Sequence, residues 1–230
     1  MKSSFLCFTL FGSLCLTQAA TFTVMTTADA GALSLRQAIL DANAQVGPDT
    51  INFAFSGTIT LASTLPPITD SLVIVGLGTN LLTISGNNSV PIFSVSAGTN
   101  RTTISRLTIA NGKASGYMNG AGLANAGNLT ISNCAFFNNQ SFGGWGGALF
   151  NSGRLSVVNT TFSGNQVVGE KGGDYNGNSI NAGGGGAGMG GALFTMLGGV
   201  DLHGCLFSSN SATGGNGGGE SPYGPGDGRG

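Results

Sequence analysis

The residues from Gly146 to Asn165 read GGALFNSGRLSVVNTTFSGN. Two glycines lead into a short apolar run, a turn, a second apolar run, and a phenylalanine three residues before an asparagine. The stretch recurs. GAGLANAGNLTISNCAFFNN spans Gly120 to Asn139, and GGALFTMLGGVDLHGCLFSSN spans Gly190 to Asn210. Laid over one another, Leu123, Leu149 and Leu193 coincide, as do Ile131, Val157 and Leu202. Phe136, Phe162 and Phe207 follow, and then Asn139, Asn165 and Asn210. A weaker copy, TTISRLTIANG, covers Thr102 to Gly112. Spacings of this kind mark a solenoid, in which each unit buries its apolar face only against its neighbours.

Within a copy the apolar residues alternate, as at Leu129 and Ile131 or Leu155 and Val157. Period two means strand, and the runs between Gly and Asn are only a few residues long. Helix formers are too sparse in a unit for a helix. The fold expected is all-β, a right-handed parallel β-helix with coils stacked at about 4.8 Å. Stacking accounts for the residue choices. Phenylalanines fall over phenylalanines, and asparagines at a turn pass amide hydrogen bonds along a ladder while tolerating a left-handed backbone. Charges stacked at that spacing would repel. Only 7% of the residues are charged, against 42 glycines.

The register also places the cysteines. Cys134, Thr160 and Cys205 share one position in three successive coils, so the two thiols are expected about 10 Å apart. A disulfide needs Cα atoms within about 7 Å. Two free thiols are the expectation. The other two cysteines, Cys7 and Cys15, lie in a leader-like segment, residues 1–20. There Lys2 precedes an apolar run from Phe5 to Leu16, and small residues for cleavage follow at Thr17-Gln18-Ala19 or Ala20; this reads as a secretory signal peptide. The mature chain is expected to be exported, without a membrane span.

Residues 21–48 are assigned to an N-terminal cap, with a helix at about 34–45. Ser34 and Gln37 read as a capping box; Leu35, Ala38, Ile39 and Ala42 share one face; Gly47-Pro48 stops the helix. Such a helix would cover the apolar end of the first coil. Coils are assigned to 49–212, with a glycine-rich insertion at about 169–188. Residues 213–230 read as a glycine-rich tail: either an inter-coil loop cut short, with a C-terminal anchor or barrel missing beyond it, or the open end of the coil stack.

SLRQAILDANA at Ser34–Ala44, followed by DTINF at Asp49–Phe53, resembles the cap of bacterial exported β-helix proteins of the CSLREA-domain type. Leu33 stands at that motif's leading Cys, and Gln37 replaces its Glu. The GGALF and Phe-x-x-Asn repeats resemble those of the polymorphic outer membrane proteins, on a pectin-lyase-like fold. The resemblance implies a passenger or adhesin at the cell surface or outer membrane, or a secreted one. The fold also hosts polysaccharide lyases and hydrolases, so the alternative is a polysaccharide-active β-helix whose catalytic coils lie elsewhere.

Lyase or hydrolase chemistry needs clustered acids. No two of the nine acidic residues align in adjacent coils, so no catalytic residue, metal site or cofactor is assigned. His203 reads as an outward histidine that does not face Asp201. DYNGN at Asp174–Asn178 has oxygen donors at the first positions of a calcium loop, but Ser179 and Gly185 stand where the turn glycine and closing Glu belong. A net charge of −1 gives no field for nucleic acid. Phe142, Trp145 and Tyr175 are assigned to exposed loops as candidate contacts for a cell-surface glycan or protein. Folding back over the glycine-rich loops is the other reading of these rings.

Overall fold

The computed structural model describes residues 19–99, 101–116, 118–172 and 185–217. The proposed leader up to residue 18, Tyr175, the Asp174–Asn178 stretch and the tail from residue 218 lie outside the described residues. Within them the chain is a parallel β-helix. Its strands form a seven-stranded, a six-stranded and two four-stranded sheets. Every strand pairing between rungs is parallel, and the only helix among the described residues, α1, is Leu35–Ala44.

One complete rung consists of Leu123–Asn125, Asn128–Ser132, Ala135–Phe137 and Gln140–Phe142. The next repeats it with Leu149–Asn151, Arg154–Val158, Thr161–Ser163 and Gln166–Val168. The pairing Leu123↔Leu149, Leu129↔Leu155, Phe136↔Phe162 and Gln140↔Gln166 keeps one offset of 26 residues through all four sheets. A constant offset is what allows like residues to stack. The central column of the seven-stranded sheet runs Ile51, Ile74, Ile104, Ile131, Val157 and Leu202. In the six-stranded sheet it runs Ile59, Ile84, Ile109, Phe136, Phe162 and Phe207. Each fully buried member contributes roughly 1.5–3 kcal/mol. The three phenylalanine rings lie face to face, with centroids 4.9 and 4.8 Å apart.

The asparagine ladder lies inside the coil. Asn139 Nδ2 donates to Asn165 Oδ1, and Asn165 Nδ2 to Asn210 Oδ1, both at 2.9 Å. The ladder asparagines do not take the left-handed conformation. The residue before each does: Asn138, Gly164 and Ser209, with φ of 52°, 66° and 53°. The reason is a division of labour at the corner. The left-handed residue turns the chain, and the next one, back in an ordinary conformation, sends its amide inward. Gly112 occupies the ladder position one rung earlier, where its N–H donates to Asn139 Oδ1 at 2.9 Å. A Cβ there would lie 2.2 Å from the Ala121 carbonyl, so only glycine fits.

Cys134, Thr160 and Cys205 stack, and both thiols are free. Cys134 is buried, and its thiol donates to the carbonyls of Ser132 and Ile104.

The N-terminal region adds a strand as well as a helix. Thr21–Val24 pairs with Asp49–Phe53 and opens the seven-stranded sheet. The helix α1 lies against these first two strands, with Leu35, Ala38, Ile39 and Ala42 buried. Only half of the capping box forms. Ser34 Oγ accepts from Gln37 N at 3.2 Å, but the Gln37 side chain donates to Asp41 Oδ1 at 2.7 Å, while Ser34 N donates to the Gly31 carbonyl. The tight turn before the helix has satisfied Ser34 N already, so Gln37 has no reason to reach back. Arg36 ties the helix to its surroundings through Asp29 Oδ1 and the carbonyls of Ser63 and Thr64. Beyond the insertion, Gly186 N donates to Glu170 O and Gly215 N to Gly186 O, each at 2.7 Å. Gly186 thus bridges the two rungs at one point, and on either side of it they bond directly, Gly169 N to Thr213 O and Gly172 N to Asn216 O, each at 2.8 Å.

Candidate functional site

On a strand, alternate side chains leave the coil. In Leu149–Asn151, Leu149 and Asn151 point into the interior, so Phe150 points outward, where it is covered and only 8% exposed. Its stacked partners in the same sheet are Ser94, Ala124 and Phe194. The row thus passes from a hydroxyl through a methyl to two aromatic rings. Trp145 is anchored beside it, its backbone N–H donating to Asn119 Oδ1 at 2.7 Å and its backbone bridging to Met189. The indole lies 5.3 Å from the Phe194 ring and 6.3 Å from the Phe150 ring, and those two rings are 6.2 Å apart. Next to this cluster is a shallow recess of about 240 Å³, lined by Ser94, Ser96, Ala124, Asn125, Phe150 and Ser152.

This geometry corrects the placement of the aromatic candidates. Trp145 is partly buried against two other rings and does not project alone from a loop. Phe142 is not on a loop: it ends the strand Gln140–Phe142, with Lys113 Nζ 5.6 Å from its ring centre. Phe142 lies in a strand, whereas Trp145 lies outside the strands and packs on Phe150 and Phe194, so the two form no common ring cluster. Phe150 and Phe194 are the residues the sequence reading missed. The signal was available, because each directly follows the inward leucine of GGAL and so must face out.

A second ladder was also missed. Asn125 Nδ2 donates to Asn151 Oδ1 at 2.7 Å, and Asn151 Nδ2 to Thr195 Oγ1 at 3.3 Å. The asparagines also accept from Gly127 N and Gly153 N two residues on, closing the corner as Asx turns. This ladder supports the strands that carry Phe150 and Phe194 and holds the outward row in fixed register.

His203 does have a partner. Its Nε2 lies 3.0 Å from Asp201 Oδ1, with each side chain 67% exposed. The two residues share the outward face of one strand, close enough for the side chains to meet around Leu202. An ion pair this open to water contributes little. Beside it, Arg154, Ser156 and Asp201 line a recess of about 310 Å³. Among the described residues no three His, Cys, Asp or Glu side chains converge as a metal site would require.

The geometry defines a class: a parallel β-helix with a helix-covered first rung and an aromatic, hydroxyl-edged outer face. No protein-family model matches the chain, and no curated protein matches it significantly. Among the described residues no helix is long and apolar enough to cross a membrane.

Proposed function

We propose that the chain is an exported β-helix module, displayed at the cell surface or secreted, whose role is structural and adhesive. The outer face of the sheet carrying Phe150 and Phe194 is its contact surface for a glycan or protein. One observation carries this reading. Two part-exposed rings, Trp145 and Phe194, cluster against the buried Phe150 on an outer face beside a recess edged by Ser94, Ser96 and Ser152. Rings offer stacking area and hydroxyls offer hydrogen bonds, the pairing that sugar recognition uses. The leader-like segment and the CSLREA-type and outer-membrane-protein-type repeats support export. Such a role would need only a rigid rod with a patterned surface, which the two internal ladders provide.

The test is binding of the full chain to glycan arrays and to whole cells, with Trp145→Ala and Phe150→Ser compared with the parent. Trp145→Ala should lose binding while leaving the far-ultraviolet circular dichroism intact. Undiminished binding by both variants would reject this face as the contact surface.

A further inference from the structure

We propose that hydrolysis of the Ala19–Ala20 peptide bond is a maturation step written into the fold, and that the new α-ammonium of Ala20 becomes the ion-pair partner of Asp49. The proposal rests on the export reading above and adds a site to it.

Asp49 opens the strand Asp49–Phe53 with its side chain in the interior, 0% exposed. Its Oδ1 accepts the backbone N–H of Ala20 at 2.7 Å. Its Oδ2 is equally buried and has no hydrogen-bond partner among the described residues. No cation there forms an ion pair with it. A buried carboxylate with a single neutral donor is an unfavourable arrangement, because both its charge and one oxygen are uncompensated.

Cleavage supplies what is missing at the atom already in contact. Water adds across the bond, the C–N linkage breaks, Ala19 leaves with a carboxylate, and the Ala20 nitrogen takes up protons to become an ammonium. The catalyst is an export-associated leader peptidase. One N–H becomes three on the same nitrogen, so one can stay on Oδ1 while another turns to Oδ2, and the charge is matched.

The register decides which cut would place the new ammonium on Asp49. The Ala20 carbonyl accepts from Thr50 N at 2.8 Å, and Thr21 then enters the strand opposite Thr50. A cut after Ala20 would discard the carbonyl and the nitrogen that touches Asp49. A cut before Ala19 would leave that nitrogen an amide. The bond after Ala19 also has small residues at the positions a leader peptidase reads, Ala19 and Thr17. Ala19 is exposed, within reach of a peptidase.

The first rung is therefore fully satisfied only after processing, and the precursor is the less stable form. The experiment compares two otherwise identical chains, one beginning at Ala20 and one at Ala19, each in the parent and the Asp49→Asn background. The chain beginning at Ala20 should melt several degrees higher, and Asp49→Asn should remove that gap. The Ala20 α-amine should also react with an acylating reagent at neutral pH about tenfold more slowly in the parent than in Asp49→Asn, since an adjacent carboxylate holds the amine charged. Equal melting temperatures for the two parent chains would overturn the pairing. If Asp49→Asn does not fold, acetylating the Ala20 amine of the parent should produce the same loss, and no loss would overturn it too. The mass of the protein recovered from an exporting host tests the export reading separately. A chain starting at Ala20 supports the cut, and a retained leader refutes export without touching the comparison in vitro.

Discussion

The rung built from Leu149–Val168 and the rung built from Leu193–Thr213 carry nearly the same apolar residues, yet they differ in burial. Val157 and Phe162 are 0% exposed; their stacked counterparts Leu202 and Phe207 are 39% and 44% exposed. Nothing in either side chain accounts for this. The first of the two rungs has a layer on both sides, and the second has one only toward Val157 and Phe162 among the described residues. At the opposite end, α1 supplies the missing layer, and there Leu35 and Ile39 are again 0% exposed. In a solenoid, burial is conferred by the neighbouring layer, so identical residues have very different energetic weight.

The largest test of that difference is a pair of truncations. Phe162→Ala should destabilise by about 3–5 kcal/mol, the range for emptying a packed aromatic site. Phe207→Ala should cost under about 2 kcal/mol, since part of that ring already faces water. Urea unfolding of the full chain measures both. Equal losses would mean that another layer covers Phe207, and the contrast would collapse.

The stacked cysteines provide the next test. Burial pushes the Cys134 thiol up from 9.0 to about 11. A thiol with a higher pKa folded than unfolded favours the folded state below the unfolded value, and that contribution is lost as pH rises from 9 toward 11. The loss above that window is on the order of 2–3 kcal/mol. The melting temperature should fall across it, and Cys134→Ala should flatten the fall. Under native conditions at pH 8, iodoacetamide should label the half-buried Cys205 well before Cys134, as peptide mapping would show. Equal labelling would break the asymmetry.

The repeat made the architecture legible because stacking demands like residues at like positions. Leu149, Phe162 and Asn165 could each be assigned a column before any coordinate was known. The outer face was legible only in part. Phe150 faces outward by the same alternation that turns Leu149 inward; Trp145 also holds a repeat position, directly before the Gly-x-x-Leu of its rung as Asn119 and Met189 are in theirs, but the turn of its ring over Phe150 and Phe194 is not written in the spacing. The second ladder went unread because Asn125 and Asn151 look like turn residues, and indeed they close a turn; their inward amides follow from the register. The Asp201–His203 contact depends on side-chain reach along one strand, which spacing alone does not fix. Asp49 looked like one acid among nine until the strand placed it inward against the Ala20 nitrogen.

The smallest effect is at the covered end, where the sequence pattern and the observed bonds diverge. A closed capping box would make Ser34 and Gln37 partners whose loss costs similar amounts. The observed cap gives them separate roles. Ser34, fully buried, accepts from Gln37 N and donates from its hydroxyl to the Gly31 carbonyl at 2.7 Å. Gln37 reaches forward one turn to Asp41. Ser34→Ala should therefore cost about 1 kcal/mol, as loss of an N-cap does, which corresponds to roughly 2–4 °C in a chain of this size. Gln37→Ala should cost only about 0.2–0.5 kcal/mol, the worth of one pair four residues apart on a helix. If the two losses prove equal and non-additive in the double variant, the box closes after all. If they differ and add, the helix is held over the first rung by Ser34 and its apolar face, with Gln37 contributing only to the helix itself.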